Sequence, residues 1–329
     1  MTHYHSFHFF LFFIAPIFAH SISLKSINLG TDAVTESLNN DFLNWFTSVG
    51  GIASGVTVGH DGKYGRGVYA TTTIAEDDEV ISIPLEWCMC RESAMKDTSR
   101  SAKKAYRQIK DDDDLVALML MREMSKGYSK TREKKAMKKT AKKLNKEISA
   151  LIPFTDELID LSKWAPYLRV LPRTVPITIF YNQKELNALE DQEISNAATE
   201  RRAIYAKQYK SMKKQLKLLF SDISIKSRRS RLADYLWAKS VTGSRALSMS
   251  GKKYLVPLAD MFNYKPHADA SERKAENGKN FLRYHKIEKK IFYVYADRVA
   301  DPSNNVFEYT QLMEDYGDNT NEIYINHHG

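Results

Sequence analysis

The sequence LADMFNYKP, from Leu258 to Pro266, places an acid and an amide three residues apart among apolar neighbours. It continues a strand-like apolar run that begins at Tyr254. Burying Asp260 and Asn263 costs free energy unless each side chain finds a hydrogen-bond partner. The segment therefore predicts a strand end at which both polar groups are held by backbone, by a ligand, or by both.

The composition is that of a globular chain rather than a disordered one. Its 329 residues are 43% hydrophobic and 11% aromatic, enough for one large domain or two smaller ones. The formal net charge of +9 allows an acidic partner without requiring one.

The sequence offers no metal site and no nucleophile of a hydrolase. Its two cysteines, Cys88 and Cys90, form neither a disulfide framework nor a four-ligand zinc site. There is no G-x-S-x-G elbow and no pair of carboxylates suited to acid–base work. Turn-rich strand ends carrying Arg, Asp, Asn and Tyr favour binding of a zwitterionic or cationic ligand over hydrolysis.

Alternating apolar and polar residues predict strands in the first part of the chain and again near its end. We expect them at residues 67–71, 79–84, 254–258 and 290–295. The segment from Tyr235 to Ala238 is also predicted to belong to a region of strands and turns that follows residue 230. Two strand-rich ends therefore bracket the middle of the chain.

The middle, residues 93–230, is predicted to be helical and highly charged, and a short helix is predicted at 41–46. The acids from Asp111 to Asp114 stand at a helix N-terminus, where they can cap the helix and oppose its dipole. A helix over 200–220 has one apolar face, which we interpret as core or helix-pair packing. That face comprises Ile204, Tyr205, Tyr209, Met212, Leu216 and Leu219.

Lysine dominates residues 129–147. Such a run is typical of a solvated helix or loop, and a contact surface for nucleic acid or an acidic protein is the alternative. No aromatic residue alternates with these lysines, which argues against recognition of single-stranded nucleic acid.

The N-terminus resembles a targeting segment. Residues 7–18 read FHFFLFFIAPIF, too short to span a bilayer comfortably, and Ala19 offers a small residue at the expected cleavage point. The segment lacks the Lys or Arg usual before such a core, so a buried N-terminal segment is the alternative. We predict a signal at 1–21, which in an organism with complex plastids can be the first half of a plastid address.

Four short motifs, taken together, resemble a SET-domain methyltransferase. By itself the first, which ends Gly65-Arg66-Gly67, predicts only a turn, because it precedes a strand rather than opening a helix. In chain order the four are Tyr64–Gly67, Ser244–Ala246, Ala259–Asn263 and Asp315–Gly317.

A fifth motif narrows the resemblance to the Rubisco large-subunit methyltransferase-like group. It runs from Ser162 to Pro172, is followed by Glu185-Leu186, and matches the helical insert of that group. The resemblance covers about residues 42–329 and implies an α+β fold of short sheets threaded through a C-terminal pseudoknot. It implies SET segments at 36–92 and 231–329, with a helical insert at 93–230 and a lysine-rich expansion at 129–161.

The resemblance also implies roles for individual residues. Gly65, Arg66 and Gly67 correspond to a loop around S-adenosylmethionine, Arg245 to a partner of the cofactor carboxylate, and Asn263 with Tyr264 to a motif that holds the cofactor partly through main-chain groups. Tyr316 corresponds to the catalytic tyrosine beside the transferring methyl group. Ser244, Asp260 and Asn321 are expected to be structural residues near the site, with Asp260 bonded to nearby backbone.

Alternatives remain for some of these roles. Arg245 could instead make an ordinary surface ion pair, and Tyr316 could be a packed aromatic residue. Tyr309 and Tyr324 are nearby tyrosines, but neither precedes a glycine as Tyr316 does.

The sequence departs from the family pattern in two places. Tyr264 stands where the family has histidine, which puts cofactor affinity in question unless that position contributes mainly backbone contacts. Family members usually continue into a helical substrate-binding domain, whereas this sequence ends at Gly329. We therefore expect a truncated product or a substrate recognised by the insert.

The function implied is methyl transfer from S-adenosylmethionine to a lysine amine of a protein, by direct SN2 displacement. A histidine acceptor, or a non-catalytic SET-like binding module, is the alternative. The expected partner is a protein that presents a lysine; we expect neither nucleic acid nor a membrane span in the mature chain, and we expect a monomer. Plastid or secretory targeting is expected, with cytoplasm or nucleus as the alternative.

Overall fold

The computed structural model describes residues 32–60, 66–126, 161–173, 175, 177–223, 232–263, 282–297, 299–300 and 310–312. The strands are β1 Ile52–Ala53, β2 Val56–His60, β3 Arg66–Ala70, β4 Glu79–Pro84, β5 Leu247–Met249, β6 Lys252–Tyr254, β7 Leu282–Glu288, β8 Ile291–Ala296 and β9 Thr310–Leu312. The helices are α1 Asp32–Ser48, α2 Arg91–Ala94, α3 Arg100–Gln108, α4 Asp112–Glu123, α5 Ala165–Val170, α6 Gln183–Ala188, α7 Gln192–Ser211, α8 Lys213–Leu219 and α9 Leu232–Arg245.

The strands form three small antiparallel sheets. Their orders are β1-β4-β8-β7, β2-β3-β9 and β5-β6. The strands predicted at 67–71, 79–84 and 290–295 are confirmed to within one residue. β3 lies between β2 and β9, so the segment that opens at Arg66 is fixed in register by a strand from each end of the chain.

The region after residue 230 begins with a helix, so the prediction of strands and turns is wrong for residues 235–238, whereas strands β5 to β9 follow later in that region. Residues Leu232–Arg245 form α9, which is buried over most of its length and packs against α4. The run Tyr235-Leu-Trp-Ala238 is apolar throughout and carries no periodicity that separates helix from strand. Tertiary contacts stabilise the helical conformation of this run. The Tyr235 hydroxyl donates to Asp114 Oδ1 at 2.6 Å, and Lys239 Nζ, one turn farther along the helix, lies 3.1 Å from the same oxygen.

The strand predicted at 254–258 is also shorter than expected. β6 ends at Tyr254, and Leu255 makes a single bridge with Met89. Pro257 has no N–H for a ladder, and Leu258 adopts a positive φ of 73°, which breaks the extended conformation. A 3₁₀ turn, Ala259–Met261, follows directly.

The middle of the chain is helical, as predicted. Asp111 caps α4 by accepting from the Asp114 N–H at 2.9 Å. The helix predicted over 200–220 is two helices, α7 and α8, which meet at Met212. Its apolar face is buried at Met212 and farther on, whereas Ile204 is 47% exposed, so the stripe packs over only part of its length.

One continuous hydrophobic core joins the sheets to the helical middle within the described residues. It runs from Phe42 and Phe46 of α1 through β3, β4 and β8 to α4 and α9. In the described ranges, no helix combines the length and apolar character needed to cross a membrane. The predicted signal at 1–21 and the lysine-rich expansion at 129–161 lie outside those ranges, apart from Leu161.

Candidate functional site

Part of the predicted site lies outside the described residues. Tyr64, Gly65, Tyr264, Tyr316 and Asn321 belong to that part, as do the alternative tyrosines at 309 and 324. The structure does describe Arg66, Gly67, Ser244, Arg245, Asp260 and Asn263.

The first and third motifs meet through the Asn263 side chain. Asn263 Nδ2 donates to the Arg66 backbone carbonyl at 3.1 Å, across 197 positions of sequence. Gly67, the next residue of β3, is buried opposite Gly59 in the register with β2. The Asn263 side-chain amide is therefore hydrogen-bonded to the main chain of the motif that ends Gly65-Arg66-Gly67.

The Arg66 side chain is used for scaffolding. Its Nε donates to Asn39 Oδ1 of α1 at 2.9 Å, and its Nη1 donates to the Val170 carbonyl at the end of α5. Burial and the nearby charge of Arg245 lower the pKa of the Arg66 guanidinium, against the opposing charge of Asp260. What Arg66 can offer a ligand is chiefly backbone and a local positive potential.

Arg245 and Asp260 bring the second and third motifs together. Arg245, the last residue of α9, donates from Nη1 to the Asp260 carbonyl at 2.8 Å and lies 3.5 Å from Asp260 Oδ2. The Asp260 side chain is fully buried, whereas that of Arg245 is 26% exposed. The pair therefore has a buried anionic end and a guanidinium that a ligand can still reach.

The Asp260 carboxylate has one oxygen bound and one free among the described residues. Oδ2 accepts from the Tyr167 hydroxyl at 2.9 Å, and Oδ1 has no hydrogen-bond partner in that part of the chain. Burial raises the pKa of Asp260 to about 6, and the neighbouring Arg245 and Tyr167 oppose this effect. An unpaired acceptor in a buried position is costly in free energy.

The turn before Asp260 carries backbone strain. Leu258 has φ 73°, a conformation that non-glycine residues adopt rarely and at a cost on the order of 1–3 kcal/mol. The turn is closed by the Asp260 N–H donating to the Val256 carbonyl at 3.0 Å and the Met261 N–H to the Leu258 carbonyl at 3.1 Å. This geometry aims Asp260 at Tyr167 and Arg245 while Asn263 reaches Arg66.

Ser244 lies beside the site without pointing a free hydroxyl into it. Its Oγ donates to the Ser240 carbonyl at 2.9 Å, one turn back in α9. Such bonding to the helix's own backbone is common for serine in a last turn. Ser244 therefore fixes the end of the helix that delivers Arg245.

Three contributors to the site carry no sequence signal of that role: Tyr167, Asn39 and the carbonyl of Val170. Tyr167 and Val170 lie in the Ser162–Pro172 motif, which marked the insert but carried no assigned role. Pro166 stands in the first turn of α5, where its fixed φ suits a helix start. The Tyr167 ring packs on Phe42 at 6.0 Å and lies parallel to Trp45 at 6.5 Å, which fixes its hydroxyl toward Asp260.

The cysteines lie in the core as uncharged thiols. Both are buried and free, and burial raises the pKa of Cys90 to about 11 and that of Cys88 well above its usual value. Within the described ranges, no three His, Cys, Asp or Glu side chains are grouped so that they could bind a metal ion.

Taken together, the cluster has two guanidiniums, one buried carboxylate, a tyrosine hydroxyl and an amide tied to main chain. A reachable guanidinium held by a buried carboxylate suits a ligand that carries a carboxylate group. The described part of the cluster contains no nucleophile beside a general base.

Comparison with solved structures shows that this is the SET-domain fold. The structure aligns over 89% of the chain with the SET domain of LSMT bound to lysine and AdoHcy, with a TM-score of 0.62 and 16% identity. It aligns over 88% with Rubisco LSMT bound to sinefungin and monomethyllysine, with a TM-score of 0.61 and 18% identity. Each alignment covers 56% of the solved chain.

A curated relative points in the same direction. Over 119 residues the chain is 28% identical to a chloroplastic [fructose-bisphosphate aldolase]-lysine N-methyltransferase of Arabidopsis thaliana. That match covers 36% of this chain and 24% of the relative, so the chain matches about a quarter of the curated protein's length and just over half of the solved structures. No family model matches the sequence.

Proposed function

We propose that this SET-fold chain transfers a methyl group from S-adenosylmethionine to a lysine amine of a protein. The observation that carries the proposal is the junction of Arg66, Arg245, Asp260 and Asn263, which unites three distant motifs in one cluster. Support comes from the solved structures of this fold, whose ligands include AdoMet, AdoHcy, lysine and monomethyllysine. The relative from Arabidopsis thaliana is a lysine N-methyltransferase.

The residues present fit this cofactor. Its amino-acid end carries a carboxylate, which matches the reachable guanidinium of Arg245. Main-chain groups of the Gly65–Gly67 segment and of Asn263 with Tyr264 would line the cofactor. When bound, S-adenosylmethionine supplies an electrophilic sulfonium methyl group, so the reaction needs no metal and no acid catalyst.

The chain's own contribution is alignment. An SN2 transfer requires the lysine amine to be deprotonated and in line with the sulfur–methyl bond, and positioning can lower the barrier by several kcal/mol, roughly 7–11 in favourable cases. We assign Tyr316 the part of orienting the amine through its hydroxyl, in a site from which water is excluded.

The principal test is cofactor binding followed by methyl transfer. Calorimetry with S-adenosylmethionine should show saturable binding, and a radiolabelled assay on a lysate of the source organism should label protein, with mass spectrometry placing the methyl group on lysine. Absence of cofactor binding would leave a non-catalytic SET-like module as the better account, an alternative motivated by Tyr264 in place of the family's histidine. Methyl-histidine in the labelled peptides would show that the acceptor is histidine and not lysine.

Replacing Tyr316 with phenylalanine tests the catalytic assignment. Loss of a single neutral hydrogen bond in the transition state should lower turnover about tenfold. Cofactor affinity should be nearly unchanged, because the ring remains and the hydroxyl is assigned to the amine. Full activity of this variant in the radiolabelled assay would show that Tyr316 is not the catalytic tyrosine; the matched variant Tyr309→Phe should retain full turnover.

We also propose a plastid destination. The relative from Arabidopsis thaliana is chloroplastic, and the apolar segment at 7–18 resembles a targeting core. A fluorescent fusion of about 40 N-terminal residues, a length typical of targeting segments, should accumulate in plastids of the source organism. A fusion that stays in the cytoplasm would contradict this proposal.

A further inference from the structure

We infer that Tyr167, in the insert, is a positioning residue for the proposed cofactor site: its hydroxyl holds the Asp260 carboxylate, which orients Arg245. The inference rests on the proposed function, since it gives Tyr167 a part in binding the amino-acid end of S-adenosylmethionine. It adds a residue from the helical insert to a site otherwise built from the SET segments.

A continuous set of contacts leads from the insert to the reachable guanidinium. The Tyr167 hydroxyl lies 2.9 Å from Asp260 Oδ2, and the same oxygen lies 3.5 Å from Arg245 Nη1. Tyr167 and Asp260 are buried, so neither can trade this contact for one with water. A hydrogen bond to a charged group in such a place is worth more than an exposed one, about 1.5–3 kcal/mol.

The same short helix also reaches the other side of the cluster. The Val170 carbonyl at the end of α5 accepts from Arg66 Nη1, three residues after Tyr167. Farther on, the Pro172 carbonyl accepts from Trp237 Nε1 of α9 at 3.1 Å. The segment 167–172 therefore contacts β3, the turn at 259–261 and α9, which are the three elements that carry the candidate cofactor residues.

The charges around Asp260 explain why its ionisation matters. The Arg245 guanidinium of α9 and the Tyr167 hydroxyl of α5 face the Asp260 carboxylate. Arg66 of β3 adds a second nearby positive charge. Cys88, close to Tyr167, is a buried uncharged thiol. Ionised Asp260 offsets the repulsion between the two guanidiniums. Protonated Asp260 does not, and Arg245 then keeps only its bond to the Asp260 backbone carbonyl at 2.8 Å.

The direction of the pH effect follows from this arrangement. Burial raises the pKa of Asp260 to about 6, and the bond from Tyr167 opposes that rise. If cofactor binding needs the ionised form, affinity is present above this pKa and is lost as the pH falls through it. Removal of the Tyr167 hydroxyl raises the pKa of Asp260 further, so the loss moves to higher pH.

The test is calorimetric titration of the full chain with S-adenosylmethionine from about pH 5 to pH 8, comparing the wild type with Tyr167→Phe. The variant keeps the ring that packs on Phe42 and Trp45, so the fold should be retained. We expect the midpoint of the affinity loss to move up by about one pH unit, as expected for loss of one hydrogen bond to a charged group. The pH midpoint of the Asp260 carboxyl ¹³C chemical shift, measured by NMR, should move by the same amount between the wild type and the variant.

Tyr235→Phe is the matched control, because Tyr235 also donates to a buried aspartate, Asp114, at 2.6 Å, but away from the site. It should leave the midpoint in place. If the wild type binds S-adenosylmethionine and Tyr167→Phe shows the same pH midpoint of affinity loss, this inference is overturned and the proposed function is not affected. A wild-type chain that binds no cofactor at any pH would overturn both.

Discussion

Arg245→Ala should weaken S-adenosylmethionine binding about 50-fold. The guanidinium is the reachable cation of the cluster, held by the Asp260 carbonyl at 2.8 Å and beside its carboxylate at 3.5 Å. A charge-assisted contact with the cofactor carboxylate contributes about 1.5–3 kcal/mol, and each 1.4 kcal/mol is tenfold in affinity. Calorimetry near neutral pH measures the change directly.

Two further variants separate affinity from folding. Arg245→Ala leaves the buried Asp260 charge without its partner, so the variant should also be less stable. The double variant Arg245→Ala/Asp260→Asn removes that charge and should recover stability without recovering affinity. Arg107→Ala, at an exposed position on α3, is the matched control and should bind as the wild type does. Wild-type affinity in a folded Arg245→Ala chain would show that Arg245 makes only a structural ion pair.

Arg122→Ala should lower the free energy of unfolding by about 3–5 kcal/mol, the usual cost of breaking a buried ion pair from one side. The side chain is 2% exposed and bonds Asp97 at 2.9 Å, Asp222 at 2.8 Å and the Leu219 carbonyl. Although burial alone lowers it, the bonds to Asp222 and Asp97 raise the pKa of Arg122 above its usual value. The side chain therefore stays charged and joins α4 to the end of α8.

Urea unfolding followed by circular dichroism measures this loss. Lys96→Ala breaks a surface pair with Glu86 at 2.9 Å, both side chains being about half exposed, and should cost less than about 1 kcal/mol. An Arg122→Ala chain as stable as the Lys96→Ala chain would mean that the buried charges relax into water without Arg122.

The sequence predicted most where local pattern and final structure agree. β3 and β4 are predictable to within a residue from their local sequence pattern, although both strands are buried over nearly their whole length and not on one face only. The cap at Asp111 followed from helix-end chemistry, which is also local. The SET fold followed from motif order, a resemblance rather than a physical derivation.

The sequence-based predictions are wrong where tertiary contacts determine the secondary structure. The run at 235–238 is apolar in every position, and it is helical because its buried face packs on α4 and Tyr235 meets Asp114. The single helix predicted over 200–220 is interrupted at Met212, for which we have no local sequence signal. A short apolar segment fits either conformation until its neighbours are known.

The amino-acid sequence alone shows which chemical groups are present: an arginine, an aspartate and an asparagine in motifs whose order marks a SET domain. It also determined that LADMFNYKP must find partners for Asp260 and Asn263, since burial without them is costly. The tertiary structure decided who those partners are. Asn263 meets a carbonyl 197 positions away, and Asp260 meets Tyr167 of α5 and Arg245 of α9. Contacts of such separation depend on how the sheets and helices pack, which no local pattern encodes.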